Sequence, residues 1–444
     1  MSRSNRFPRL CGVAAIASLA VLAFAPGSAS AWTLDTHHIF CKQAGCPDGS
    51  GPVAALVMAD KRHFFGTASG GGAHANGADG GVVYELIHNK DGTWTYKAIY
   101  SFCAQTNCAD GNQPLSDLIV DQDGNLYGTT WTGGAHAGGT VFKLTKSTGW
   151  TENVIYNFCS VRNSNGKCLD GEDPQAGLSY AGQASGAPWD EFSPLYGTTV
   201  NGGKYGSSSN SHNGVVFKLV SDGSVWDETV IHNFGTSRSP FGGMVMDGAG
   251  NLYGATTYGG TYGGGLFYKL AHDTWTETVL HYFCAQTNCA DGANMESRPV
   301  IDANGNLYGT TVNLGADGAG GVFELVHGTS GYSYKVLKNF CSPSCSDAGE
   351  SGAGLAIDGA GNLYGATEAG GANNSGAVFK LHHGTNGWNE TLLYSFCSLS
   401  GCKDGSTPWI GAAPILDAQG DLFGTTFKGG DATSNAGTVF ELTP

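Results

Sequence analysis

The chain repeats one pattern of apolar and polar residues, and the pattern is typical of β-strands. Residues 115–159 show it most clearly. Four short stretches there either alternate strictly or are rich in β-branched and aromatic residues. They are residues 115–121, 126–131, 140–144 and 150–158. Turns rich in Asp and Gly, and one glycine-rich loop, separate them. The segment therefore predicts four antiparallel strands, named a to d.

This unit occurs seven times. Each copy carries Leu-Tyr-Gly-Thr-Thr or a close variant, and its central glycine lies at Gly66, Gly128, Gly197, Gly254, Gly309, Gly365 and Gly424. A spacing of roughly 55 to 70 residues corresponds to one supersecondary unit. Seven units of four antiparallel strands predict an all-β fold, a closed seven-bladed β-propeller. We expect residues 32–444 to form it as a single domain.

The two ends of the chain indicate how the ring closes. The last copy stops at residues 439–442, which form a strand c without a strand d after it. Near the other end, residues 38–41 match the ends of the d strands at 156–159 and 394–397. We therefore expect residues 33–41 to pair with residues 438–442 and complete the seventh blade. Closure of this kind removes exposed strand edges.

Residues 1–31 have the features of a secretory signal peptide. Arg3, Arg6 and Arg9 precede an apolar stretch at 13–24, and Ala29-Ser30-Ala31 forms a small-residue cleavage site. No second long apolar stretch follows, so we predict no transmembrane segment in the mature chain. The prediction is a periplasmic or extracellular protein.

The cysteines of the mature chain form six short-range pairs, each in a d-to-a connection. The pairs are Cys41/Cys46, Cys103/Cys108, Cys159/Cys168, Cys284/Cys289, Cys341/Cys345 and Cys397/Cys402. An even number in an exported chain favours disulfides. Zinc sites are the alternative, but they usually have two or three residues between ligands and a second pair nearby.

The charge of the chain narrows the range of partners. Loss of residues 1–31 removes three arginines and no carboxylate, which takes the formal charge from −15 to −18. The arginines that remain are Arg62, Arg162, Arg238 and Arg298. An acidic, arginine-poor surface repels phosphate backbones, so nucleic acid is excluded as a partner. The same charge keeps a glycine-rich protein soluble, and we expect a monomer.

The repeat resembles a known family. The phrase Asp-x-x-Gly-Asn-Leu-Tyr-Gly-Thr-Thr-x-x-Gly-Gly, followed by Gly-Thr-Val-Phe-Lys-Leu and by Trp-Thr-Glu-x-Val-Leu-Tyr-x-Phe, is similar to the Gloeo/Verruco (GloVer) tandem repeat of exported bacterial proteins. It is more distantly similar to the propeller repeats of two-component sensors. The third copy departs from the pattern by an insertion around Trp189 and Asp190. The resemblance implies a repeat scaffold and no catalytic residues.

One face of the ring is predicted to bind. The d-to-a loops carry the cysteine pairs and the b-to-c loops are long and glycine-rich, and both emerge on one face. The two positions before each Gly-Gly vary between copies, and they include Trp131, Tyr258 and Phe427. Their rings are suited to stacking on a sugar. The alternative interpretation is that these two positions vary because the fold places little constraint on the residues at the start of the loop.

Two further groups of residues are candidates for binding a metal ion or for acid–base chemistry. His74 and His136 occupy equivalent Ala-His-Ala loops and would be a metal or base pair, or else solvated copies of one loop. One aspartate follows each cysteine pair: Asp48, Asp110, Asp170, Asp291, Asp347 and Asp404. Asp-Gly turns explain most of them, and a Ca²⁺ ring is the alternative. No other cofactor is indicated.

Three functions remain open at this point. The sequence contains no hydrolase, metalloprotease or P-loop motif, and Arg62 is expected on the opposite face from Arg238 and Arg298, which disfavours a sialidase-like site. The first hypothesis is a non-catalytic module that binds a glycan or a protein. The second is a polysaccharide lyase or hydrolase, and the third is a structural or adhesin-like spacer. A convergent carboxylate or histidine pair in the central channel would favour the second, and an aromatic-lined groove the first.

Overall fold

The computed structural model describes most of residues 32–444. The described residues are 32–75, 80–146, 149–205, 213–223, 225–235, 238–313, 315, 318–341, 348–385, 387–409, 412–431 and 433–444. The predicted signal peptide, Cys345 and Asp347 lie outside this set, so the predictions that concern them remain predictions.

The architecture is the predicted seven-bladed propeller, and its ring closes as the sequence indicated. Strand β1 (Thr33–Ile39) pairs with the last strand, β29 (Thr438–Thr443), in a register that runs from Thr33 opposite Thr443 to Ile39 opposite Thr438. Seven antiparallel blade sheets follow one another. In the first six the strands are ordered as they occur in the chain, and in the seventh the first strand of the chain lies beside the last.

The strand bounds are as follows. Blade 1 comprises β2 (Val57–Asp60), β3 (His63–Ala68), β4 (Val82–His88) and β5 (Trp94–Ser101). Blade 2 comprises β6 (Ile119–Val120), β7 (Leu126–Thr130), β8 (Thr140–Lys146) and β9 (Trp150–Asn157). Blade 3 comprises β10 (Leu195–Thr199), β11 (Val215–Ser221) and β12 (Trp226–Asn233). Blade 4 comprises β13 (Val245–Met246), β14 (Leu252–Thr256), β15 (Leu266–Leu270) and β16 (Glu277–Tyr282).

The remaining blades follow the same plan. Blade 5 comprises β17 (Val300–Ile301), β18 (Leu307–Thr311), β19 (Gly321–Gly328) and β20 (Gly331–Asn339). Blade 6 comprises β22 (Leu355–Ile357), β23 (Leu363–Thr367), β25 (Ala377–Gly384) and β26 (Gly387–Ser395), with a small extra pair, β21 (Ala348–Gly349) and β24 (Ala369–Gly370). Blade 7 comprises β27 (Ile415–Leu416), β28 (Leu422–Thr426), β29 and β1. Short 3-10 helices occupy Thr106–Cys108, Gln183–Ser185 and Thr287–Cys289.

The innermost strand a is shorter than its apolar stretch predicted. In blade 2 it spans only Ile119–Val120, because residues 115–118 turn away from strand b to line the central channel. There the Ser116 hydroxyl replaces a backbone carbonyl of strand a as the hydrogen-bond partner of strand b, because it accepts the Thr129 backbone N–H at 2.8 Å. In blade 3 strand a is reduced further, to a single bridge between Ser179 and Tyr196 ahead of the insertion.

The repeated Asp-x-x-Gly-Asn-Leu-Tyr phrase builds the a-to-b turn. In blade 4 one oxygen of Asp247 accepts the backbone N–H groups of Ala249 and Asn251, at 2.9 Å each. Its other oxygen accepts the Asn251 amide at 2.8 Å and the Tyr253 hydroxyl at 3.0 Å. One carboxylate therefore fixes the whole turn, which explains why these residue types recur together.

The apolar core lies between adjacent blades. The Phe that ends each strand d packs on the aromatic ring of strand c in the next blade, edge-to-face at most interfaces and tilted at the others. The ring centroids of Phe102 and Phe142 are 5.0 Å apart, and those of Phe396 and Phe440 are 5.1 Å apart. Each blade is therefore held mainly by its neighbours, as expected of a ring of repeats.

Disulfides close the d-to-a loops. Five of the six predicted pairs are bonded: Cys41–Cys46, Cys103–Cys108, Cys159–Cys168, Cys284–Cys289 and Cys397–Cys402. No described helix is long and apolar enough to cross a membrane.

Candidate functional site

A cavity lies in the central channel, where it opens on the face that carries the disulfides. Its volume is about 360 Å³. Trp131, at the start of a b-to-c loop, donates its backbone N–H to Gln113, which follows a disulfide loop, and both residues line the cavity. The predicted binding face and the cavity therefore coincide.

Two equivalent positions in each repeat supply most of the wall. The first is the start of strand a, where successive blades carry Val53, Leu115, Gln175, Phe241, Glu296, Gly352 and Trp409. The second is the first residue after strand b, where they carry Ser69, Trp131, Val200, Thr257, Val312, Glu368 and Phe427. The cavity is thus built from repeat positions whose side chains differ between blades.

Aromatic rings surround the mouth of the cavity. Trp131, Phe241, Trp409 and Phe427 all line it, and the rings of Trp409 and Phe427 lie 4.3 Å apart. Gly51 makes room for this pair, because a Cβ there would lie 2.8 Å from the Phe427 ring. Two of the three predicted aromatic residues, Trp131 and Phe427, therefore share one wall.

Tyr258 occupies a different place. It is equivalent to Thr132, one residue beyond the Trp131 position, so its side chain points to the other side of the loop. It is 39% exposed, and its ring lies 6.3 Å from Phe241, which does line the cavity. The sequence alone did not separate these two adjacent positions.

The histidines also lie away from the cavity wall. His74 and His136 are both exposed. The backbone carbonyl of His136 accepts a hydrogen bond from Arg162 at 3.3 Å. Within the described part of the chain no hydrogen bond or ring contact joins the two imidazoles. Their predicted role as ligands stays a prediction.

Arg298 and Asp117 form the floor of the cavity. They come from equivalent positions on blades 5 and 2, and Nε of Arg298 lies 3.9 Å from Oδ2 of Asp117. The other blades up to the sixth have Gly or Ala at this position: Ala55, Gly177, Gly243 and Gly354. A Cβ at Gly177 or Gly243 would lie 2.9–3.0 Å from the guanidinium. The small residues therefore form a cradle for it.

The guanidinium is anchored by hydrogen-bond acceptors on blades 3 and 4. Nη1 donates to the Met244 carbonyl at 2.9 Å, to the Ser179 hydroxyl at 3.1 Å and to the Gln183 amide oxygen at 3.0 Å. Nη2 donates to the Leu178 carbonyl at 3.2 Å. Such a guanidinium ties three blades together across the channel.

Residues of the insertion in blade 3 lie at the other end of the channel. Gln183 of the insertion reaches Arg298, and a second cavity of about 320 Å³ lies beyond it, lined by Leu56, Ile119, Tyr180 and Pro188 among others. Trp189, which marked the insertion in the sequence, is 1% exposed and packs edge-to-face on Tyr127. It is a core residue.

Glu296 is the second acidic residue of the main cavity. Burial and then the charge of Glu368 raise the pKa of Glu296 to about 7. Burial also raises the pKa of Asp117, against the opposing effects of Arg298 and of the Ala55 N–H, which donates to Oδ1 at 2.8 Å. The cavity therefore contains two carboxyl groups, of which Asp117 lies beside the positive charge of Arg298 and Glu296 lies near the like charge of Glu368.

The aspartates after the cysteine pairs serve the loops themselves. Asp110, fully buried, accepts the backbone N–H groups of Ala104 and Gln105 and the hydroxyl of Tyr100, at 2.9–3.2 Å. Asp404 does the same in blade 6 with Ser398, Leu399 and Tyr394. These oxygens are occupied by protein donors. Cys159, Cys168 and Glu172 also lie close together, but the two sulfurs are bonded to each other.

Arg298, Asp117, Glu296, Phe241 and Trp409 were not identified from the sequence. A signal for the first two existed, since they are the charged members of a position otherwise held by Gly and Ala. Arg238 pairs with Glu277 at 3.1 Å, and the Arg62 side chain donates to the His88 carbonyl in blade 1. The described arginines therefore build no shared anion site.

Comparisons with known proteins identify the repeat. The model of the Gloeobacter/Verrucomicrobia repeat matches residues 26–189 and 183–440. No curated protein sequence matches the chain.

Solved structures resemble it at low identity. A putative 6-phosphogluconolactonase from Bacteroides uniformis is 11% identical, with 79% of this chain and 86% of that chain covered and a TM-score of 0.44. A putative oxidoreductase (glucose dehydrogenase) from Thermus thermophilus is 15% identical, with 74% and 96% covered and a TM-score of 0.40. A chain of a nidogen/laminin complex is 15% identical, with 68% and 85% covered and a TM-score of 0.37.

Proposed function

The chain belongs to the Gloeobacter/Verrucomicrobia repeat family, and on that scaffold we propose an exported, non-catalytic binding module. It acts in the periplasm or at the cell surface, where its disulfides are stable. The cavity on the disulfide face takes one end of a glycan chain. A protein segment in the same cavity is the alternative ligand.

The observation that carries this proposal is the aromatic mouth of the cavity. Trp131, Phe241, Trp409 and Phe427 offer apolar rings with little side-chain entropy to lose on binding. A cavity of about 360 Å³ lies within the range of small-molecule sites. Gln183 of the insertion and Arg298 are hydrogen-bonded to each other below the cavity, and a chain end that enters it would stop there.

The test is a glycan array with the exported protein, followed by calorimetry on each ligand found. The double variant Trp131→Ala/Phe427→Ala is expected to lose about tenfold or more in affinity, because central aromatic residues usually contribute over 1 kcal/mol each. Tyr262→Ala is the matched control, since it removes an exposed aromatic ring from a b-to-c loop outside the cavity wall. Unchanged affinity in the double variant contradicts the proposal.

A second candidate, a carbohydrate-active enzyme, is favoured by one observation. Asp117 and Glu296 both line the cavity, and Glu296 has a pKa of about 7, which suits a general acid. An enzyme would release new reducing or unsaturated ends from a bound polysaccharide, and Glu296→Gln would abolish that release. If a polysaccharide binds tightly and no product is released, the enzyme hypothesis is wrong and the binding module is retained.

A further inference from the structure

The composition of the cavity points to the charge of its ligand. Aromatic rings from blades 2, 4 and 7 and the carboxyl group of Glu296 from blade 5 line the same cavity. An ammonium group is attracted both to the faces of aromatic rings and to a carboxylate, whereas a neutral apolar group is attracted only to the rings. We propose that the cavity binds an organic cation, an ammonium group carried on a ring or short chain, and that Glu296 receives it. This inference rests on the proposed function and specifies its ligand.

The one basic side chain in the cavity does not favour an anion. Among the described residues that line it, only Arg298 is basic, and its guanidinium is already bound by two carbonyls, Ser179 and Gln183. Asp117 lies 3.9 Å away and balances its charge. An anionic ligand would therefore have to displace these partners. The floor of the cavity is close to neutral as it stands.

Unlike the Arg298 guanidinium, the carboxylate of Glu296 is not bound by other protein groups among the described residues. In the described part of the structure its carboxylate makes no hydrogen bond and no ion pair, although it lies in a cavity wall. A half-buried carboxylate without a partner is costly, and an ammonium group would relieve that cost with a charge-assisted hydrogen bond. Charge complementarity therefore favours a cationic occupant over a neutral one.

The titration of Glu296 gives the proposal a pH dependence. Burial and the charge of Glu368 on blade 6 raise the pKa of Glu296. Burial and, in turn, the charge of Glu296 raise the pKa of the nearby Tyr258, and Asp117 and Arg298 line the same cavity. With a pKa of about 7, Glu296 is largely protonated at pH 5.5 and largely ionised at pH 8. Affinity for a cation should therefore rise over this interval, on the order of tenfold.

The experiment compares ligands that differ only in charge. The first arm measures choline against 3,3-dimethyl-1-butanol, in which a neutral carbon replaces the ammonium nitrogen. The second arm measures glucosamine trimer against N-acetylglucosamine trimer, which tests an amine carried by a glycan. We expect the cation to bind about tenfold or more tightly in at least one arm, through a charge-assisted hydrogen bond for the glucosamine amine and through charge attraction and cation–π contact for choline, which has no N–H to donate. The affinity of choline, whose positive charge does not titrate, should rise from pH 5.5 to pH 8.

Variants at Glu296 identify the group responsible. Glu296→Gln should remove the preference for the cation and its pH dependence, and Glu296→Asp should retain part of both. Asp273→Asn is the matched control, because it removes the same charge from an exposed site whose positive φ Asn tolerates. Melting temperatures of all variants establish that each is folded.

The outcomes separate this inference from the proposed function. Equal binding of cation and neutral probe, or a preference that survives in Glu296→Gln, overturns it. So does binding of Ca²⁺ that depends on Glu296 while choline and glucosamine trimer fail to bind. If only neutral glycans bind, and Trp131→Ala/Phe427→Ala abolishes that binding, the inference is wrong and the proposed function stands.

Discussion

The hydroxyl of Tyr156 lies 3.4 Å from a carboxylate oxygen of Glu228, so one hydrogen bond crosses from blade 2 to blade 3. The same hydroxyl lies 2.9 Å from Asp170 in the disulfide loop. Burial and then the charge of Asp170 raise the pKa of Glu228 to about 8. The preceding interface repeats the arrangement, because burial and Asp110 raise the pKa of Glu152 to about 8. Two blade interfaces therefore hold a protonated glutamate at neutral pH.

These two glutamates should make the fold less stable as the pH rises. Their pKa is higher in the folded state than the unfolded value near 4.5, so the folded state binds more protons between about pH 4.5 and pH 8, and stability falls as pH increases through that window. Glu152→Gln/Glu228→Gln should remove this dependence and stabilise the protein at pH 8.5 by on the order of 1–3 kcal/mol. Melting temperatures from pH 5 to pH 8.5 measure it.

Glu277, at the equivalent position of blade 4, is the matched control. It pairs with Arg238 at 3.1 Å and lies 3.6 Å from His232. Glu277→Gln should therefore destabilise the protein, because it removes the partner of a partly buried arginine. If all three substitutions shift the melting temperature in the same direction, the assignment of protonated glutamates is wrong.

The sequence predicted those features that depend on local spacing. The blade count follows from seven copies of one phrase, and the disulfides join cysteines only five or nine residues apart. The closure of the ring followed from a match between residues 38–41 and other d strands. In each case a short stretch of sequence carries the signal.

The site was predicted only in part, because its geometry depends on the whole ring. Arg298 and Gln183 are 115 residues apart, and no local pattern brings them together. The apolar stretch 115–121 predicted strand a but not which of its residues would leave the sheet to line the channel. Tyr258 and Trp131 looked alike in sequence, and only the one-residue offset between them separates their directions. The sequence therefore indicated the face on which the cavity opens, but not the residues that form the floor of the cavity.

Reduction of the disulfides should loosen the binding face and leave the propeller folded. A loop of five or six residues accounts for at most about 2 kcal/mol of chain entropy, and the packing of Phe102 on Phe142 does not depend on the bond. Cys103→Ser/Cys108→Ser should retain the circular dichroism spectrum while protease cleavage near Gln105 increases. Mass mapping of the non-reduced protein should show six local links, including Cys341–Cys345. Links between blades would contradict the prediction.

Removal of the closing strand should destabilise the entire ring. Strand β1 covers the edge of β29 through Thr33–Ile39, and His37 binds Glu441 at 2.6 Å within that pair. Residues 42–444 and residues 32–444, each exported behind the same leader, form the comparison. The shorter chain should melt at a lower temperature and aggregate, because it exposes an unpaired edge and the core beneath Phe40. Equal melting temperatures would mean that closure contributes little.

The central glycine of the repeat should be intolerant of a side chain. A Cβ at Gly128 would lie 2.8 Å from the Phe142 ring and 2.9 Å from Leu118, so Gly128→Ala forces the inter-blade core apart. We expect a loss of about 1–3 kcal/mol, measured as the midpoint of chemical denaturation. Gly248→Ala is the control, because no atom lies within 4 Å of its added Cβ. Phe142→Leu shortens the opposing side chain, so Gly128→Ala should cost less in that background than alone. Strict additivity of the two substitutions would show that the glycine is required for some reason other than this contact.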